Sequence, residues 1–316
     1  METVLVLAER HGTACALLTL ARRLGAPIAV KCGTASVDTL ARYGARAIWA
    51  VESPEADVHP ATARVEALTK LAATTRPCCV LIAEGHDGPE IAGRVAVRLD
   101  SGVLTGAVDL WMGPRGPIVT QRVLGGSHLV ESEVIRGVTV CTVRTCEVEA
   151  TQAPARPHMN RLDLVLSQGT RAARLVSRAP SPHDLSNVLS AAAIVVAGGR
   201  GLGSREGFRL ADRLAHALGG AACGSHTATE LGWCPPHRRV DQIGKAVHPL
   251  LYLALGISGS VRHRAGMQGA HNIVAVDRDP QAPIFGVADL GVVGDARDVA
   301  SELLIEIQRR REETET

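Results

Sequence analysis

The stretch Ile194-Val195-Val196-Ala197-Gly198-Gly199-Arg200-Gly201-Leu202-Gly203-Ser204 decides how this 316-residue chain is read. A short apolar run enters a glycine-rich turn, and Arg205–Leu218 then follows with helical character. The unit is strand, turn, helix. Glycine permits positive φ and close backbone approach. The unpaired N–H groups at the helix start, together with the helix dipole, suit a phosphate. Arg200 adds a permanent planar charge for a phosphate or carboxylate. The third glycine comes one residue too early for G-x-G-x-x-G, so this is not the usual dinucleotide fingerprint. On spacing alone, a tight turn with a solvated Arg200 explains the stretch equally well.

A second unit of this kind lies downstream at Leu253-Ala254-Leu255-Gly256-Ile257-Ser258-Gly259-Ser260-Val261-Arg262-His263. Two phosphate-type loops in one sheet point to a ligand at its carboxyl edge, at a switch point. The stretch nearly matches a nucleophile elbow around Ser258, but G-x-S-x-G needs glycine at 260 and the residue is Ser260. A third cluster is Cys223-Gly224-Ser225-His226 with Cys234-Pro235-Pro236-His237. Thiolate and imidazole are zinc ligands, so Cys223, His226, Cys234 and His237 form a candidate tetrahedral set. Chance proximity of ordinary residues is the plainer account.

Outward from these loops, the second half reads as a βαβ series. Ala191–Ala197, Leu250–Leu255, Ile273–Val276 and Val292–Val293 are strand-like, Val261–Gly266 is a short helix, and Val299, Leu303 and Ile307 line a terminal helix. The first half alternates in the same way. Val4–Ala8, Pro27–Val30, Ala47–Val51 and Cys79–Ala83 are apolar throughout, and helices are expected over Thr13–Leu24, Ala35–Tyr43, around Val65–Ala72 and over Pro89–Leu99. Such strands imply parallel sheets covered on both faces. Between Val103 and Val148 the pattern changes, with short strands at Ile118–Leu124, Ser127–Ser132 and Val138–Val148 that predict an antiparallel extension. Proline-rich Thr151–Pro157 and Ala179–Pro182 read as a hinge or linker. The expected architecture is α/β, with an N-terminal nucleotide-binding-like domain over 1–178 and a C-terminal doubly wound parallel-sheet domain over 179–316.

Composition narrows the function. Lys and Arg number 34 against 32 Asp and Glu, a net charge of +2, which favours neither nucleic acid nor an anionic membrane. Three Trp, two Tyr and two Phe are too few for base-stacking platforms. No apolar run approaches the ~20 residues that span a bilayer. With no leader-like start and no CxxC pair among eight Cys, a cytoplasmic protein with reduced thiols is expected.

Taken together, these blocks carry a resemblance. Gly198-Gly199-Arg200-Gly201-Leu202, Gly224-Ser225, Gln242-x-Gly244-Lys245, Leu251 through Gly259, His263-x-Ala265-Gly266-Met267, Asp279-Pro280-x-Ala282-Pro283-Ile284-Phe285 and Val287-Ala288-Asp289 fit one family in order and spacing. Leu7-Ala8-Glu9, Gly88-x5-Arg94-Val95-Ala96-x-Arg98-Leu99-Asp100 and Thr142-Val143-Arg144 extend the likeness, more loosely, to the first half. The chain resembles the α subunits of electron transfer flavoproteins. The resemblance implies FAD held without a covalent bond in the C-terminal domain, and a heterodimer with a β subunit. It implies electron shuttling from flavin dehydrogenases of the acyl-CoA dehydrogenase type, as in fatty acid β-oxidation, to a quinone reductase or another acceptor. Such a protein is a carrier with no substrate turnover of its own. It also implies that Arg200 lies over the flavin, and that Ser225 with the loop Val240, Asp241, Gln242 and Ile243 lines its site. Ser258, Gly259, Ser260, Val261, Arg262 and His263 would contact the cofactor, His263 near the flavin carbonyl, and Asp277 and Asp295 would bind the adenosine half. A cation at the pyrimidine end raises a flavin's one-electron potential, and Arg200 and His263 would supply it provided that His263 is protonated when the flavin is reduced.

The chain departs from the family pattern around the ring. His226 replaces an Arg and exchanges a fixed charge for a group that ordinarily titrates at ~6.5. Ile243 replaces a Thr that hydrogen-bonds the reactive flavin nitrogen, which an aliphatic chain cannot do. Asp277 replaces an Asn, and Arg262 replaces a Gln. An altered flavin environment is expected. The alternatives are a paralogue that binds an adenine nucleotide without redox work, or a zinc protein.

Overall fold

The computed structural model describes residues 2–85, 87–124, 128–166, 174–177, 189, 192–242 and 244–314. The chain divides into two compact units, whose bulk is Met1–Val123 with His128–Arg178 and Ala179–Thr316 respectively.

In the first unit, β1 (Thr3–Ala8), β2 (Ala26–Lys31), β3 (Ala47–Glu52) and β4 (Cys79–Ala83) alternate with α1 (His11–Leu24), α2 (Val37–Arg42), α3 (Pro60–Thr75) and α4 (Gly88–Arg98). Strands β5 (Val103–Met112), β6 (Pro117–Val123), β7 (His128–Glu133), β8 (Thr139–Val143) and β9 (His158–Asp163) follow. One nine-stranded sheet results, in the order β7-β6-β5-β8-β4-β1-β2-β3-β9. The chain leaves β1 towards β2 and β3 on one side, and β4 returns to its other side. β1 shows why both faces are covered. Val4, Val6 and Ala8 enter one core cluster, whereas Leu5 and Leu7 enter the cluster on the opposite face. A strand with period-two geometry that is apolar at every position requires both.

Three expectations change here. The antiparallel extension is confined to β5–β6 and β6–β7. β8 instead lies parallel between β4 and β5, buried throughout, and its Val-Cys-Thr-Val run is a core-strand composition. β5 was not expected as a strand, because Gly106 and a register shift between Leu104 and Ala107 interrupt its pattern. The segment Thr151–Pro157 is no hinge: Ala153 N and Ala155 N donate to the Arg42 and Ala41 carbonyls at 3.0 and 2.9 Å, and the chain runs on into β9 beside β3. β9, His-Met-Asn-Arg-Leu-Asp, is too polar to read as a strand. Its apolar partner is found only through tertiary pairing. The second proline-rich segment, Ala179–Pro182, lies outside the described residues.

In the second unit, β10 (Ile194–Gly198), β11 (Ala221–Gly224), β12 (Leu251–Leu255), β13 (Asn272–Asp277) and β14 (Leu290–Val293) form a parallel sheet in the order β11-β10-β12-β13-β14. This is a doubly wound order, with its switch between β10 and β12. The helices are α5 (Arg205–Ala217), α6 (His226–Glu230), α7 (Val261–Met267) and α8 (Ala296–Thr314). Ser204 caps α5 by accepting from Gly207 N at 3.0 Å, and Phe208, Ala211, Leu214 and Ala215 bury its apolar face. On α8 the fully buried stripe is Ala296, Ala300 and Leu304, with the expected Val299, Leu303 and Ile307 half-buried beside it. Among the described residues, no helix is long and apolar enough to cross a membrane.

Candidate functional site

The two glycine turns meet at the carboxyl edge of the second sheet, at its switch point. Gly199 N donates to the Leu255 carbonyl and Gly201 N to the Gly256 carbonyl, each at 2.9 Å. A Cβ on Gly199 would lie 2.1 Å from the Gly256 carbonyl oxygen, and one on Gly201 would lie 2.6 Å from Gly256 Cα. These glycines are therefore required first by backbone-to-backbone contact of the two turns. The stitched turns leave a row of side chains on the rim: Arg200, Gln242, Ser258, Ser260, Val261 and Arg262 are all exposed. The first N–H groups of α7 have no intrahelical acceptor. The Ser260 hydroxyl accepts one of them, from His263, at 3.4 Å.

Behind the rim lies a buried layer. Ser225 caps α6 by accepting from Ala228 N at 3.3 Å. Val240 N donates to the Gly224 carbonyl and Gln242 N to the Arg262 carbonyl, which fixes the loop between β11 and α7. Asp241 is 1% exposed, and its carboxylate accepts from Gly244 N and pairs with the Arg239 guanidinium at 2.8 Å. The sequence reading places Asp241 in the loop that lines the cofactor site; the structure turns its side chain inward onto Arg239, a residue that reading does not single out. Gly259 is buried at a φ of +79°, against Ile284. His226 is half-buried. Its Nε2 lies 3.1 Å from Glu230 Oε1, and among the described residues its buried Nδ1 has no hydrogen-bond partner. Ile243 lies outside the described residues.

His263 lies in this buried layer. It is 4% exposed, its Nε2 lies 3.1 Å from the Tyr252 hydroxyl, and burial pushes its imidazole down to about 4, outweighing the pull of the Val240 backbone and Asp241. It is neutral near pH 7. Tyr252 is buried in β12, burial raises its phenol, and its hydroxyl also contacts Cys223 Sγ at 3.8 Å. Fixed positive charge on the rim comes from Arg200 and Arg262 instead.

At the far end of the edge, beyond β13 and β14, Asp277 Oδ1 accepts from Asp279 N at 3.0 Å. Asp295 is held by Arg278, whose hydrogen bond lowers its carboxyl below the usual range, and it also accepts from Arg297 N at 2.8 Å. Cys223, His226, Cys234 and His237 do not converge. Among the described residues, no group of three or more His, Cys, Asp or Glu is placed to hold a metal. Cys223 and Cys234 are buried, and burial pushes their thiols up to about 12 and about 11.

Two family patterns cover this chain. The one described as electron transfer flavoprotein domain matches residues 4–165, and electron transfer flavoprotein FAD-binding domain matches 188–268. An electron transfer flavoprotein subunit alpha of Mycobacterium leprae is 41% identical over 93% of each chain. That of Mycobacterium tuberculosis strain H37Rv is 42% identical over 98% of this chain and its own full length. Protein FixB of Clostridium saccharobutylicum is 30% identical over 85% of this chain and 81% of its own. With both units matched and the two mycobacterial relatives covered almost end to end, the chain belongs to the electron transfer flavoprotein α-subunit family.

Proposed function

We propose that the chain is the FAD-binding α subunit of a two-subunit electron carrier. It pairs with a β subunit, takes electrons from a flavin dehydrogenase of the acyl-CoA type and passes them to a quinone reductase or another acceptor. The observation that carries this reading is the rim at the switch point, where Arg200, Ser258, Ser260 and Arg262 stand exposed and the buried His226 Nδ1 lacks a partner among the described residues. A buried polar nitrogen without a partner is costly unless a ligand satisfies it. A dianionic pyrophosphate suits two guanidiniums, two hydroxyls and free helix N–H groups. FAD supplies the redox chemistry.

This chain's residues bind, orient and tune. Arg200 and Arg262 neutralise phosphate charge and favour electron-rich states nearby. Ser225, Ser258 and Ser260 orient through their hydroxyls. The Asp241–Arg239 pair holds the loop that carries Gln242 and Ile243. His263 and Tyr252 form the neutral support beneath it. Asp277 and Asp295 serve the adenosine end. Without a hydroxyl at Ile243, and with an imidazole at His226, the ring environment differs from the family's usual one.

The test is the identity of the small molecule released on denaturing the chain co-purified with its β partner. Stoichiometric FAD is expected from the heterodimer. If the heterodimer released only AMP, or was colourless and released nothing, the reading would fall in favour of a nucleotide-binding paralogue.

A further inference from the structure

We propose that the first unit carries a small-molecule site of its own, at the carboxyl edge of its sheet, for an uncharged nucleoside: a flat ring bearing hydroxyl and amine donors. This inference does not depend on the flavin reading of the second unit.

A cavity of about 630 Å³ opens over the tips of β1, β2, β3 and β4. Its size is that of a small-molecule site. It stands where the chain goes from β1 to β2 on one side while β4 lies on the other, the switch point at which doubly wound sheets bind ligands. The topology thus repeats the second unit's, but the lining chemistry does not.

Part of the lining is uncharged. Val51 and Ala63 form it, with Cys32, whose thiol burial pushes up to about 12 and so keeps protonated. A planar heterocycle can lie against such a surface. The lining is also rich in acceptors: Glu9, Asp57 and Asp87 line the cavity, as does Glu84, whose carboxylate lies towards Gly106 beside Arg144. Arg10 and Arg64 are the cations there. Arg64 is already committed, with Nε 2.6 Å from Glu9 and Nη1 3.4 Å from Asp87, and its side chain is only 16% exposed. A polyphosphate entering this cavity would meet the carboxylates of Glu9, Asp57 and Asp87, with Arg10 the lining cation outside those ion pairs among the described residues. A ligand that donates hydrogen bonds meets acceptors already held in place by Arg64. A carboxylate accepting from sugar hydroxyls is the pairing that doubly wound sheets use for ribose.

The probe is adenosine, titrated calorimetrically into the full chain with FAD at saturating concentration, so that the second unit's edge is occupied. Saturable binding is expected. Asp57→Ala, at an exposed loop position, is expected to weaken it at least about tenfold, the scale of one hydrogen bond to a charged acceptor, with the unfolding midpoint unchanged. ATP is expected to bind at least about tenfold more weakly than adenosine. The proposal is overturned if adenosine shows no saturable binding up to millimolar concentration, or if ATP binds as tightly. Adenosine binding untouched by Asp57→Ala would place the ligand elsewhere and also overturn it. Loss of FAD binding would leave the Asp57→Ala comparison intact and would count only against the flavin reading.

Discussion

The two carboxyl edges of this protein are built on the same plan and furnished in opposite ways. Each lies at the switch point of a doubly wound sheet. In the second unit the strand tips end in glycines packed backbone against backbone, and the rim presents Arg200, Ser258, Ser260 and Arg262. In the first unit the tips surround a cavity lined by several carboxylates, where the half-buried Arg64 is paired with Glu9 and Asp87. Topology therefore selects where a ligand goes, and side-chain charge selects which ligand. If both proposals hold, an anionic cofactor goes to one edge and an uncharged hydrogen-bond donor to the other.

The sharpest way to break that contrast is at the glycines. Gly199→Val places a branched side chain where even a Cβ would sit 2.1 Å from the Gly256 carbonyl oxygen and 2.5 Å from Ile257 Cγ1. Backbone cannot yield there as a flexible side chain would. We expect a loss of about 4 kcal/mol, at the upper end for overpacking, read from hydrogen exchange in β12. A loss under about 1 kcal/mol would show that the turns are not stitched.

The second expected effect is a pH dependence of the second unit. His263 titrates at about 4 when folded, against an ordinary ~6.5. Between those values the unfolded chain takes up a proton that the folded chain refuses. Stability therefore falls as the pH drops from 6.5 to 4, by about 3 kcal/mol in all, and this contribution is flat below pH 4. His263→Asn is expected to remove that slope from denaturant midpoints measured across the interval, and an unchanged slope would assign it to other groups.

How much of this was open to sequence reasoning differs between the edges. The glycine turns, the parallel strands and the rim residues around Ser258–Arg262 are local in sequence, so a strand running into glycines and a helix announces them. The first unit's cavity is assembled from tips of four strands spread from Glu9 to Asp87, and no local pattern gathers Glu9, Arg64 and Asp87. The inward facing of His263 was equally hidden. It depends on Tyr252 eleven residues earlier on a strand, a partnership set by packing and not by spacing. β9 was missed because its polar sequence becomes a strand only by pairing with β3.

A middle-sized effect tests the acidic edge. Arg64→Ala would leave Glu9 and Asp87 facing one another without their shared cation. Arg64 and Glu9 are largely shielded, at 16% and 26% exposure, so the loss should exceed that of a surface pair. We expect about 2 kcal/mol on the first unit, with little relief from added salt. A cost below about 0.5 kcal/mol would mean that the guanidinium is solvated and free to receive a phosphate.

The smallest effect is the most discriminating, because its sign is what matters. Gly12 lies in the first turn of α1, at the first unit's carboxyl edge. A Cβ added there would meet nothing within 4 Å. Alanine loses less backbone entropy on entering a helix than glycine does, by roughly 0.5–1 kcal/mol. Gly12→Ala is therefore expected to raise the unfolding midpoint of the first unit slightly and to leave adenosine binding unchanged. The same kind of substitution at Gly199 is expected to lower stability. A drop in either property for Gly12→Ala would mean that a ligand or neighbouring backbone approaches this edge as closely as the glycine turns approach each other. The first edge would then be a backbone cradle, and its preference would be set by N–H groups instead of by the carboxylates around Arg64.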